Sequence, residues 1–357
     1  MATQVLDAAK AEAFGARMVG LINEGFLGLL ISVGHQTGIF DALAELSPST
    51  SAQIAAATGL QERYVREWLG GMAVGRIVEY DREAHTFRLP AEHAASLTRA
   101  AGPDNLAFFT QYIGLIGEIE QGIVRAFRQG GGVPYSAFGR FQQLQAEESA
   151  PLYDGALVEA ILPLAPGLVE RLQAGIDVLD IGCGQGHALN VMARAFPRSR
   201  FTGYDFSEEG VAAARTETAR LGLTNAQFAA RDVAAIGDVD RYDLITAFDV
   251  IHDLARPDET LRSITRALKT DGTFLMMEIA ASSDLADNLD HPFGPFLYAA
   301  SVFHCLTVSL AQGGPGYGTV WGEQGARRAL ADAGFTRVEQ HQLPGDFFHA
   351  FYIACKG

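Results

Sequence analysis

The chain has 357 residues, 48% of them hydrophobic, which is enough for a full core and more than most single domains need, so a two-domain globular enzyme or binding protein is expected. A formal net charge of −15 opposes binding to a polyanion, because non-specific nucleic-acid affinity comes from clustered lysine and arginine. Cys183, Cys305 and Cys355 stand singly, without the paired spacing of a zinc site or a secreted disulfide framework, so the expectation is a reducing cytoplasm and no metal.

The first stretch, MATQVLDAAKAEAFGARMVG, has no basic segment leading into a long apolar run, and FLGLLISVG is too short to span a bilayer. The reading is a soluble, untargeted chain with no membrane partner. Up to about residue 170, apolar residues recur at helical spacing, as in LLISVGHQTGIFDALAEL and APLYDGALVEAILPLAPGLVERL. Beyond it, short apolar runs alternate with helical segments. DVLDIG, RFTGYDFS, YDLITAFDVIHD and TFLMMEI read as strands, and GHALNVMARAF, SEEGVAAARTETARLG and PDETLRSITRALKTDG as helices. This predicts a doubly wound α/β domain. The tail departs from it, since FTRVEQHQL and HAFYIACK are separated by little more than a turn and suit an antiparallel hairpin at the sheet edge.

Residues 178–186, VLDIGCGQG, place glycines at 182, 184 and 186 between a buried strand and a helix, where backbone N–H groups can approach a ligand. The spacing G-x-G-x-G differs from the dinucleotide fingerprint G-x-G-x-x-G, which favours a different nucleoside cofactor, with a ligand-free tight turn as the alternative. The next strand ends in Asp205, an acid placed to accept from both ribose hydroxyls. Asp232 in AARDVA could accept from an adenine amino group, with Phe206 and Val233 on the two faces of the ring.

Taken together, the glycine turn, the acid-ended TGYDFS, RDV and the antiparallel final strand resemble the class I S-adenosylmethionine-dependent methyltransferases. The resemblance implies a Rossmann-like seven-stranded core with S-adenosylmethionine as cofactor and S-adenosylhomocysteine as product. It implies cofactor contacts from Asp180, Cys183 and Phe248 as well as from the glycines, Asp205, Phe206, Asp232 and Val233. TSAQIAAATGLQERYVREWLGGMAVGRIVEYDREAHTFRLP resembles the N-terminal winged-helix domain of plant-type O-methyltransferases and of two-domain bacterial methyltransferases. Its helix-turn-helix would run from about Ser51 to Leu69, and its wing would be the strand pair around IVEY and TFRL. The division implied is a mainly helical winged-helix dimerisation domain over 1–100, a helical linker and substrate wall over 101–172, and the methyltransferase domain over 173–357. The second helix of the motif mixes Arg63 and Arg66 with Glu62 and Glu67, so it offers no basic face to DNA. The assembly implied is a homodimer through the N-terminal domain.

Ligands of open α/β sheets bind outside the carboxyl ends of the strands, which places the reaction centre at AFDVIHDLARPDE. His252 and Asp253 match a His-Asp pair of the plant-type enzymes, in which the histidine takes the proton of the accepting hydroxyl, and Glu278 matches a carboxylate that orients it. Leu254 replaces the tryptophan usual after the pair, and Val320 stands where a second carboxylate is usual, with Glu323 three positions away. The segment from about 280 to 322 is too long for an ordinary connection and reads as a lid. Its Phe296, Tyr298, Phe303, His304 and Trp321, with Tyr112 from the helical half, are the candidate surroundings of a small, partly apolar methyl acceptor. O-methylation is favoured, S- or N-methylation stays open, and a ligand-responsive regulator without turnover is the reading from a different class.

Overall fold

Thr50 opens the helix Ser51–Thr58 with a reciprocal cap, its side chain accepting from the Gln53 amide and its own amide donating to the Gln53 side chain at 2.8 Å. The next helix, Glu62–Val74, buries Val65, Trp68, Leu69 and Met72 on one face. Behind this helix-turn-helix, strands β1 (Glu79–Asp81) and β2 (Thr86–Arg88) pair antiparallel as the wing. These elements share a core with Ile39, Phe40, Leu43 and Ile54.

The structure, a computed structural model, describes residues 6–357 and forms two units, one ending at Glu118 and one beginning at Ile119. The boundary falls inside the helix Gln111–Gln129, so the stretch read as a linker over 101–172 is shared between the units. FLGLLISVG, read as short, lies within the 30-residue helix Ala8–Thr37. By length and composition alone, that helix and Gly294–Ala311 are apolar enough to cross a membrane, as is the bent pair Phe141–Leu164 with Leu168–Ala174 if taken as one span. Ala8–Thr37 exposes Phe14, Met18, Val19, Ile22 and Phe26, with Arg17 and Glu24 among them.

The second unit is built on seven strands in the order β5-β4-β3-β6-β7-β9-β8. They are β3 (Asp177–Ile181), β4 (Arg200–Asp205), β5 (Ala226–Ala230), β6 (Tyr242–Phe248), β7 (Leu268–Ile279), β8 (Phe335–His341) and β9 (His349–Lys356). The first five are parallel; β9 enters between β7 and β8, antiparallel to both. Alternate residues supply two separate cores. Val178, Leu244, Leu275 and Met277 face one layer of helices, while Leu179, Ile181, Ile245 and Met276 face the other. Both faces are covered, which is why these strands read as continuous apolar runs. The chain steps from β3 to β4 and β5, then returns to the other side of β3 with β6, so the strand order reverses beside the glycine turn.

Candidate active site

β3 ends at Ile181, and the chain turns through Gly182, Gly184 and Gly186, all with positive φ. A Cβ on Gly182 would lie within 2.7 Å of the Val250 side chain, so packing excludes it. At Gly184 a Cβ would meet nothing within 4 Å; here glycine serves the left-handed backbone at φ +51° and leaves open space beside the turn. The Gly184 amide donates to Asp205 Oδ2 at 2.8 Å, and the Ser207 amide donates to Oδ1 at 2.8 Å. Burial raises the Asp205 pKa and these amides oppose it. Asp180, buried on β3, accepts from the Thr246 hydroxyl at 2.6 Å, and burial pushes its carboxyl up to about 7. Cys183 is held as a thiol, its pKa raised by burial and by Asp180. Phe248 packs against Tyr153 with ring centres 5.5 Å apart.

On the side read as the adenine site, Asp232 accepts from the Ala234 amide with one oxygen and pairs at the surface with Arg256 through the other. Val233 is buried in a core, whereas Phe206 is 63% exposed and meets the edge of Tyr135 at 5.1 Å, so the two residues read as a sandwich sit in unlike surroundings.

The run read as a single strand, YDLITAFDVIHD, stops at Phe248 because Asp249 takes φ +60°. A residue with a side chain pays roughly 1–3 kcal/mol there. The turn brings His252 beneath the end of β7, where its Nδ1 lies 2.5 Å from Glu278 Oε2. The other Glu278 oxygen accepts from the Ile251 amide at 3.0 Å, and the Trp321 indole N–H donates to Oε2 at 3.3 Å. Burial alone would lower the His252 pKa, but the charge of Glu278, then Cys305, and hydrogen bonds to both hold it well above the usual histidine value. Asp253 makes no side-chain bond to His252; burial pushes its carboxyl up to about 7. The second acid beside the imidazole is Asp249, whose Oδ1 is 3.7 Å from Nδ1.

Asp249, His252 and Glu278 each bring a ligand atom within 4.8 Å of the others, a grouping that linear spacing hid. The 2.5 Å separation of Nδ1 and Oε2 is a hydrogen-bond distance. Two ligands of one divalent ion, each about 2.0–2.1 Å from it at right angles or wider, stand farther apart. The donor set fits a proton-sharing pair.

The segment read as a lid leaves β7 and has its ends tied together: Ser283 donates to the Trp321 carbonyl and accepts from the Gly325 amide at 3.0 Å, and Glu323 N–H donates to the Ala281 carbonyl at 3.0 Å. Within it His304 is buried, stacked on Phe141 at 3.4 Å and flanked edge-on by Tyr135 and Phe138. Burial, then the charge of His252, lowers its pKa to about 3, so the ring is neutral, and its Nε2 has no hydrogen-bond partner among the described residues. Tyr298 accepts from Asn288 at 3.2 Å, Phe296 lies against Phe348, and Phe303 is half-buried. Trp321, read as an acceptor contact, is instead buried in a core with its N–H on Glu278 and its ring stacked on Tyr317 at 5.1 Å. Tyr112 is the second residue of the helix Gln111–Gln129, in the first unit and edge-on to Phe108.

Residues 25–99 match a family model described as an Rv2258c-like winged helix-turn-helix domain, and residues 172–304 one described as a methyltransferase domain. The chain carries a methyltransferase domain. It is 30% identical over 102 residues to malonyl-[acyl-carrier protein] O-methyltransferase of Bacillus cereus, a match covering 29% of this chain and 37% of that protein. It is 28% identical over 157 residues to (S)-coclaurine N-methyltransferase of Papaver somniferum, covering 43% and 44%. The chain thus spans between a third and a half of these relatives' own length. In fold, human N-acetylserotonin methyltransferase in complex with SAM superimposes with a TM-score of 0.71 at 17% identity, over 99% of this chain and 100% of that one.

The turn of the methyltransferase domain fits its cofactor on two counts, the open cradle at Gly184 and the buried carboxylates Asp180 and Asp205 beside it, which suit a ligand carrying sulfonium and ammonium charge. Sequence reasoning missed Asp249 in this domain, and Tyr135, Phe138 and Phe141, which precede it in the chain and pack around His304. Only the acid in FDVIHD could have been noticed, by its place one residue past a strand end.

Proposed function

We propose that the protein transfers a methyl group from S-adenosylmethionine to a hydroxyl of a small, partly apolar molecule. The observation that carries this is the buried pair of His252 and Glu278, 2.5 Å apart and, like the glycine turn, at the carboxyl ends of parallel strands. Bound at that turn, S-adenosylmethionine supplies an electrophilic methyl carbon. Asp205 retains a free lone pair on each oxygen for the ribose hydroxyls. His252 keeps its Nδ1–H on Glu278, so the acceptor's proton would go to Nε2 once the acceptor displaces the Cys305 thiol that also bonds the ring. Glu278, steadied by Trp321, holds the resulting imidazolium. A base so placed contributes roughly 10² to 10⁴ in rate. Phe296, Tyr298, Phe303 and His304 supply the aromatic surroundings of the acceptor.

The exposed apolar row of Ala8–Thr37 supports a homodimer through the N-terminal unit, and Arg17 and Glu24 within that helix favour a protein partner over lipid. Arg63 pairs with Glu67 at 2.5 Å and Arg66 with Glu62 at 2.9 Å, which favours a small-molecule partner over DNA. Three free cysteines suit the cytoplasm. An amine acceptor is the second reading, favoured by the likeness to a plant N-methyltransferase, and would need little from His252. The test is to supply S-adenosylmethionine with hydroxyl, amine and thiol acceptors, identify the methylated atom by mass spectrometry, and compare single-turnover rates of the wild type and His252→Gln. Product on oxygen with a rate collapse in the variant is expected; product on nitrogen or sulfur at an unchanged rate overturns the hydroxyl reading.

A further inference from the structure

We propose that Asp249 is a positioning residue for His252, a second carboxylate on the Nδ1 side of the ring that acts by charge and sets the pH at which the imidazole is free to accept a proton. The inference rests on the reading of His252 as the base. Three observations carry it. Asp249 Oδ1 lies 3.7 Å from Nδ1, too far to share the hydrogen bond that Glu278 holds at 2.5 Å, yet close enough for a strong electrostatic effect. That oxygen is buried and accepts no hydrogen bond from the described residues. A buried carboxylate oxygen without a donor is costly, and an imidazolium beside it is what offsets the cost. Finally, the side chain reaches this place only because residue 249 adopts φ +60°, a conformation glycine would take without strain. Aspartate is among the few residues with a side chain that tolerate this backbone, which lets the carboxylate be held there.

The groups around the ring come from every neighbouring element. Glu278 faces His252 from β7, Cys305 from the lid and Asp253 from the following turn, while His304 lies near enough for its own charge to be suppressed. Asp249 also bears on Tyr153 and on His349 of β9, which has its own partner in Asp346 at 2.8 Å. Of the two acids within 4 Å of the His252 ring nitrogen, only Asp249 has an oxygen with no other bond.

The test uses the full chain saturated with S-adenosylhomocysteine and follows the His252 ring nitrogens by NMR against pH, the resonances being assigned by their loss in His252→Gln. Asp249→Asn keeps the shape and removes the charge; the midpoint of the His252 titration should move to lower pH by about one pH unit. The single-turnover pH profile should move with it, while affinity for S-adenosylhomocysteine stays within about twofold. Asp249→Gly, which the backbone accepts without strain, is the second variant and should shift the midpoint in the same direction. An unmoved midpoint in either folded variant overturns the inference. Stoichiometric Zn²⁺ binding that is lost in Asp249→Asn, with a rate that falls on chelation, also overturns it in favour of an ion site. A His252→Gln enzyme with full activity would instead remove the base reading, and the NMR midpoint would still decide whether Asp249 acts on the ring.

Discussion

The indole N–H of Trp321 donates to Glu278 Oε2 at 3.3 Å, so a residue at the far end of the lid holds the carboxylate that faces His252. Trp321→Phe keeps the stacking on Tyr317 and removes the donor. A hydrogen bond to a charged group is worth about 1.5–3 kcal/mol, so the single-turnover rate should fall by roughly 10- to 100-fold with cofactor affinity unchanged. Stopped-flow kinetics alongside calorimetry check both halves of this expectation.

Asp205 and Asp232 should separate in their effect on the cofactor. Asp205 is buried and clasped by the Gly184 and Ser207 amides, so Asp205→Ala removes a ribose acceptor and leaves the turn unsupported. The dissociation constant for S-adenosylmethionine should rise by about 10- to 100-fold. Asp232→Ala, which breaks an exposed pair with Arg256, should change it by less than about threefold. Equal losses in calorimetry would return Asp232 to the cofactor site.

Asp180 makes the fold sensitive to pH. Its carboxyl is raised by burial to about 7, so between the ordinary carboxylate range and pH 7 the folded state binds a proton that the unfolded state has released. Stability contributed by this group therefore falls as pH rises through that window. Asp180→Asn removes the slope: the variant should melt higher than wild type at pH 8 and gain least near pH 4. Thermal melts across that range in cofactor-free protein read the difference, and parallel curves would show that Asp180 is ionised in the fold.

The rate should also report His252 directly. Its pKa is held above the usual histidine value, so the base is available only as pH rises through that displaced midpoint. Activity should climb on the alkaline side of neutrality in the wild type, and His252→Gln should be slower by roughly 10² to 10⁴ with a flat profile. A pH series of single-turnover measurements decides it.

Ile22 and Phe26 lie in the exposed apolar row of Ala8–Thr37. If the chain pairs through this row, the wild type should scatter light as a dimer and the variant with both replaced by Glu as a folded monomer, because desolvating two charges in an interface is costly. A double variant that still scatters as a dimer would place the interface elsewhere.

The helix-turn-helix with its wing and the pairing of His252 with Glu278 were implied by a family resemblance, whereas local pattern and spacing were enough to read the alternation of β3, β4, β6 and β7 with helices and the glycine turn followed by Asp205. Each depends on periodicity, on glycine's backbone freedom, or on strand ends gathering at one edge of a parallel sheet, and these act over a few residues or through a regular topology. What the chain order could not disclose depended on contacts closed in three dimensions. The sign of φ at Asp249 turns its carboxylate toward a histidine three residues on, while Asp253, adjacent in sequence, makes no bond to it. Trp321 meets Glu278 across 43 positions because Ser283 and Glu323 tie the ends of the lid together. Asp232 was legible as an acid at a strand end, but only the fold brought Arg256 to it, 24 positions away, as an exposed ion pair.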